Sequence, residues 1–133
     1  MISKKDAVKK HLKIWRSDPF SWGDGDCLTR CASYVADIHD IDPAMGLRGT
    51  YSSREGAQEH IDRAGGVAAL VGQQLEGLGF EKADPEFGDI VVVQFGEIEL
   101  GGICLGDKVA MSAETHLIEI PTRFVKVIAA WRI

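Results

Sequence analysis

No apolar run in this sequence of 133 residues approaches membrane-spanning length, so no membrane partner is expected. The first stretch, MISKKDAVKKHLKIW, is basic and amphipathic. It lacks the apolar core and small-residue cleavage site of a signal peptide. Cysteine is sparse and odd in number: three thiols do not make a disulfide framework, and a reduced, cytoplasmic history is the simplest expectation. Positive charge is in deficit, with 15 Lys and Arg against 20 Asp and Glu. The resulting net charge of −5 disfavours a phosphate-binding surface, and with it a nucleic-acid partner. Repeats, low-complexity stretches and linkers are missing as well. What is there is ordinary globular composition, 45% hydrophobic and 26% charged, in a chain long enough to bury a core without staples. One domain over residues 1–133 is expected.

The pattern divides the chain into helices followed by strands. Ser3 can cap a helix over 4–16, which Pro19 closes off. From Cys27, the residues Leu28, Cys31, Ala32, Val35 and Ile38 recur at three- and four-residue steps, the stripe of a helix facing a core. Ser53 can cap residues 54–64, and Gly65-Gly66 stop them before a short apolar helix from Val67. After Pro85 the period becomes strand-like, with runs at 89–95, 99–105, 108–113, 116–120 and 125–131. Strands joined this tightly predict antiparallel neighbours in a meander, and helices before sheet is the α+β order. Trp22 and Trp131 are expected to be buried packing anchors.

The densest stretch is FSWGDGDCLTRC, in which a glycine-rich bend delivers a thiol to the first turn of a helix. There, unpaired N–H groups and the helix dipole stabilise thiolate over thiol, and the same groups can bind an oxyanion. Asp24 or Asp26 can cap that helix, and Gly23 and Gly25 let the backbone approach a substrate or take positive φ. Cys27 is therefore a candidate nucleophile, although a cysteine in such a place also serves as a small buried hydrophobe. Cys31 lies in the apolar stripe and Cys104 in an apolar strand, with no histidine paired to either. Neither a metal site nor a cofactor is expected.

With these residues in view, PFSWGDGDCLTRCASYVADIHDID resembles the signature of NlpC-type cell-wall cysteine peptidases: Pro-Tyr-x-Trp-Gly, then Asp-Cys, then a helix. FGDIVVVQF resembles their Gly-Asp-Leu-Val strand, and LGGICLGDKVAMSA resembles their next hairpin, which begins His-Val-Gly-Ile. Closer still is a phage-tail branch of no assigned function, in which WGxxDC, RGxY, a GG break and a terminal AAW recur. Here these are Trp22 to Cys27, Arg48 to Tyr51, Gly65-Gly66 and Ala129 to Trp131. The resemblance implies a papain-like fold in which the cysteine helix packs on an antiparallel sheet and a strand supplies the base. It also implies a binding role for Trp22, Gly23, Asp24 and Asp26 beside the thiol.

Two departures stand out. Leu100 occupies the position of the base histidine and cannot take a proton from a thiol, and Phe20 replaces the family's tyrosine. His116, which opens a strand of the same sheet, is the stand-in. His11 and His39 read as half-exposed helix residues, and His60 as part of a solvated face. Glu97 and Glu99 flank the hairpin but are poor bases for a thiol.

Three functions follow as expectations. One is a structural or assembly module of a phage or prophage tail tip, partnered by other tail proteins, with a hydrolase site that has lost its base. It would assemble in the host cytoplasm and travel in the virion tail. A second is an active peptidoglycan hydrolase using Cys27, with His116 as base. A thiol-dependent processing enzyme acting on another tail protein is a third. Under the first reading, a histidine placed at 100 is the shortest route back to activity.

Overall fold

Ser3 caps α1 (Lys4–Ser17) by accepting the Asp6 amide at 3.1 Å in the computed structural model, which describes residues 2–133. Helices α2 (Cys27–His39), α3 (Arg54–Ala64) and α4 (Val67–Glu76) follow. Five strands come next: β1 (Ile90–Phe95), β2 (Ile98–Cys104), β3 (Lys108–Ser112), β4 (Leu117–Pro121) and β5 (Lys126–Trp131). The described residues thus form an α+β protein, helices packed with an antiparallel sheet, as the pattern predicted. Among them no helix is long and apolar enough to cross a membrane.

The break between α3 and α4 depends on its two glycines. Gly65 (φ 100°) ends α3, with its N–H donating to the Ile61 and Asp62 carbonyls, and Gly66 (φ 128°) caps α4. Both backbones lie where an L side chain is strained, so the GG pair lets α4 fold back against α3.

The sheet is not the simple meander that short connections predicted. Its order is β4-β3-β2-β1-β5, so the last strand crosses to the far edge and pairs with β1 instead of β4. A single turn of 3-10 helix at Thr122–Phe124 makes the crossing. A bulge at Ile128 shifts the register between Val92 and Val93, so Val127 and Ala130 share one face.

The alternation along each strand sorts residues into two cores. Ile90, Val92, Ile103, Ala110 and Trp131 face the helices, where they meet Leu28, Ala32 and Val35 of α2. Val91, Val93, Cys104, Val109 and Met111 face the other way and are just as buried, although no helix covers them. Ile118, Ile120, Val125 and Val127 close over them, so the sheet curls on itself to shield its outer face. The continuous run IVVV reads as a strand buried on both faces for this reason.

Trp131 is fully buried, its indole N–H donating to Glu76 at 3.3 Å, as expected of an anchor. Asp89 is also fully buried in the turn entering β1. It accepts the Glu86 amide at 2.9 Å and the Arg132 guanidinium at 3.1 Å, which ties the last residues to the sheet.

His11 departs from its sequence reading. It is buried, with Nε2 2.6 Å from Asp37 and its ring edge-on to Tyr34. Burial holds the imidazole below its ordinary pKa, outweighing the opposing hydrogen bond and charge of Asp37. The folded protein therefore binds the His11 proton less tightly than the unfolded chain. Its contribution is present above about pH 6.5 and is lost as pH falls below it, by up to about 1.4 kcal/mol per pH unit. Denaturant melts between pH 7 and 5 should show this slope, and His11→Gln, which keeps a donor for Asp37, should flatten it. Equal slopes in the two proteins would assign the effect elsewhere.

Candidate functional site

The WGxxDC turn is organised by one buried carboxylate. Asp26, rather than Asp24, is the N-cap of α2, and its Oδ1 accepts the Leu28 and Thr29 amides at 3.0 Å. Thr29 returns the bond by accepting the Asp26 amide at 3.0 Å, which completes a capping box. The second oxygen, Oδ2, accepts the Gly23 amide at 2.8 Å and the Tyr51 phenol at 2.5 Å. Gly23 has φ 89°, and a Cβ there would lie 2.1 Å from the Tyr51 carbonyl oxygen. No other residue fits so close an approach. The Gly23 carbonyl in turn accepts the Gly49 amide at 3.0 Å.

The RGxY segment is thus the other half of this buckle. Arg48 donates from Nε to Asp42 at 2.7 Å and from its terminal nitrogen to the Thr29 carbonyl (3.1 Å) and the Ser33 hydroxyl (2.8 Å). Asp24 stays exposed, 3.9 Å from the same guanidinium. Arg30, one turn into α2, was not singled out by sequence. It is buried and donates to the Ser112 hydroxyl of β3 at 2.9 Å and to the Asp18 and Pro19 carbonyls at 3.0 Å. It therefore joins the loop before the cysteine to the sheet behind it. Nothing in the local sequence marks it, because the contacts are made by tertiary packing.

Cys27 is the first residue of α2 and borders a groove of about 750 Å³. One wall is α3, with Ala57 and Ile61; the other is the β1–β2 hairpin, with Phe95 and Ile98. The thiol's protonation runs opposite to the sequence expectation. Burial pushes its pKa up to about 12, the adjacent Asp26 charge adds to the rise, and the N–H groups of Gly101, Cys27 and Leu28 pull the other way without prevailing. The residue that caps the helix also places a negative charge against the sulfur. At pH 7 Cys27 is therefore held as the thiol.

Three sequence readings are corrected here. Leu100 borders the groove, but its side chain packs with the outer-face cluster, because strand alternation turns 101 and 103 toward the helices and 100 away. The position facing the cysteine helix is Gly101, where a Cβ would lie 3.7 Å from Cys31 Sγ and 3.8 Å from the Cys27 carbonyl oxygen. Trp22 is half-buried rather than enclosed, stacks edge-on with Phe20 at 4.8 Å, and lines the groove. His60 is not on a solvated face: it is half-buried against Tyr51 (5.5 Å) with Nε2 3.1 Å from the Thr50 hydroxyl.

His116 is exposed in the β3–β4 turn, its Nδ1 2.6 Å from the Thr115 hydroxyl. Among the described residues no histidine lines the groove. None of their His, Cys, Asp and Glu side chains form a group able to hold a metal.

Removing Asp26 should be costly. Asp26→Ala deletes the cap and strands the Gly23 amide and the Tyr51 hydroxyl, for a loss of about 3 to 5 kcal/mol in chemical denaturation. Tyr51→Phe should cost about 1.5 to 3 kcal/mol. The two effects should be clearly non-additive in a double-mutant cycle, since both break one bond. Simple additivity would deny the buckle.

No curated protein matches the chain. No solved structure matches it either. Residues 3–133, which include the cap, the RGxY segment and the whole sheet, match the family described as Domain of unknown function (DUF6950). The chain belongs to that family.

Proposed function

We propose that this chain is a structural or assembly module of a phage or prophage tail, built on the NlpC-type papain-like plan, whose hydrolase site has lost its base. The observation that carries the reading is the state of Cys27: a thiol in a groove, held protonated by burial and by Asp26, with no imidazole among the described residues that line the groove. A nucleophilic cysteine needs a proton acceptor within reach or a lowered pKa, and this one has neither. The tail assignment rests on the ordered resemblance of WGxxDC, RGxY, the GG break and AAW. Three of those motifs act here as the two halves of a buckle and as a helix break, roles a scaffold keeps when chemistry is lost. Its partners are other tail proteins, met in the host cytoplasm and carried in the virion tail.

A second reading, an active cysteine hydrolase cutting peptidoglycan, has one observation in its favour. Cys27 borders a ligand-sized groove, and backbone N–H groups from α2 and Gly101 face its sulfur.

Iodoacetamide labelling against pH separates the readings. Cys31 and Cys104 are buried, so alkylation of the folded protein reports Cys27. Its rate should stay negligible through neutral pH and rise only above about pH 9. Fast labelling at pH 6 to 7 would mean an activated thiol.

Turnover gives the second check. Purified parent and Cys27→Ala should be equally inert on peptidoglycan fragments. Leu100→His should stay inert too, since an imidazole at 100 joins the outer-face cluster instead of reaching the sulfur. Hydrolysis by the parent that vanishes in Cys27→Ala would replace the structural reading with the enzyme.

A further inference from the structure

The groove beside Cys27 runs along a strand edge that the sheet leaves bare. β2 pairs with β3 only over Gly102 to Cys104, opposite Met111 to Val109. Its earlier residues, Ile98 to Leu100, pair with β1 on one side and extend past the end of β3 on the other. The chain opposite them has already entered the β3–β4 turn, where Ala113 and Glu114 line the same groove. An unpaired edge presents N–H and C=O groups that template an added strand.

The side chains around this edge state what the added strand must carry. Ile98 is 56% exposed, and with Trp22 and Phe95 it gives the groove an apolar surface. Glu97, Glu99 and Asp62 border it, with no basic side chain of the described residues within ion-pair distance. The groove's one cation among the described residues, Arg54, is engaged by Glu114. A second copy of this chain, at net charge −5, is a poor occupant of so acidic a site.

We propose that the groove docks an extended segment of a partner protein in which Lys or Arg alternates with apolar residues, added as a short strand to the open edge of β2 at Ile98 to Leu100. The main chain of the segment takes up the free edge. Its basic residues meet Glu97 and Glu99, and its apolar residues, on the opposite face of the added strand, cover Ile98 and Leu100. The inference rests on the non-hydrolytic reading only in that the docked segment leaves uncut.

The probe is an acetylated, amidated hexapeptide of alternating leucine and lysine, titrated into isotope-labelled protein at low salt. The leucine–glutamate hexapeptide and spermidine serve as controls. Saturable shifts should centre on the amides of Ile98, Glu99 and Leu100, and those amides should gain protection from hydrogen exchange. Raising salt to about 150 mM should weaken binding. The exposed double variant Glu97→Gln, Glu99→Gln should weaken it about three- to tenfold at low salt.

Equal binding by the glutamate peptide or by spermidine would overturn the proposal. So would shifts that map elsewhere, indifference to the double variant, or no saturable binding by the lysine peptide. Mass spectrometry of the recovered peptide keeps the two readings apart. A peptide bound and then cut by the parent but not by Cys27→Ala upholds the docking edge and ends the non-hydrolytic reading. Failure to bind ends the docking edge and leaves that reading untouched.

Discussion

The Asp26 carboxylate is the constraint on which this site depends. Its two oxygens accept bonds from different parts of the chain, Oδ1 from the first turn of α2 and Oδ2 from the Gly23 turn and Tyr51. A buried carboxylate is tolerated only when its lone pairs are filled, and here they are filled by groups nearly 30 residues apart in sequence. The loop before the helix, the helix start and the RGxY segment thus share one anchor. Arg48 and Arg30 extend the arrangement, the first to Asp42 and the second to Ser112 of β3.

The same carboxylate explains why a helix start that ought to activate a thiol does not. A helix N-terminus stabilises a neighbouring anion by roughly 0.3 to 1 kcal/mol, and up to about 2 in favourable partly buried geometries. Desolvation of a buried thiolate costs more, and the capping carboxylate engages the Leu28 and Thr29 amides and adds a like charge. A catalytic cysteine in this position needs a nearby imidazole to tip the balance. Strand alternation leaves Gly101 facing the helix, with no side chain to supply one.

The sheet contributes a second constraint, on shape. With helices on one face only, the outer face would expose Val91, Val109 and Met111, all fully buried in the folded chain. Sending β5 to the far edge and curling the sheet over itself removes that cost. Early in β2 the closure is incomplete, and the open edge forms one wall of the groove. Core closure and groove are therefore consequences of a single strand arrangement.

Local physics was legible in the sequence because it acts over a few residues. The Ser3 and Ser53 caps, the GG break and the α2 stripe each depend on neighbours within about two turns, and the helices begin and end where those signals lie. Strand positions were legible to within a residue or so, from β-branched runs punctuated by glycine. Tertiary structure alone decided the destination of β5, since a short connection does not say which edge a strand joins when a buried outer face must be closed. It alone turned Leu100 outward, because a one-residue change of register reverses every side chain on a strand. It also set the charge state of Cys27: helix position argued for a thiolate, and burial beside Asp26, a property of packing, made it a thiol.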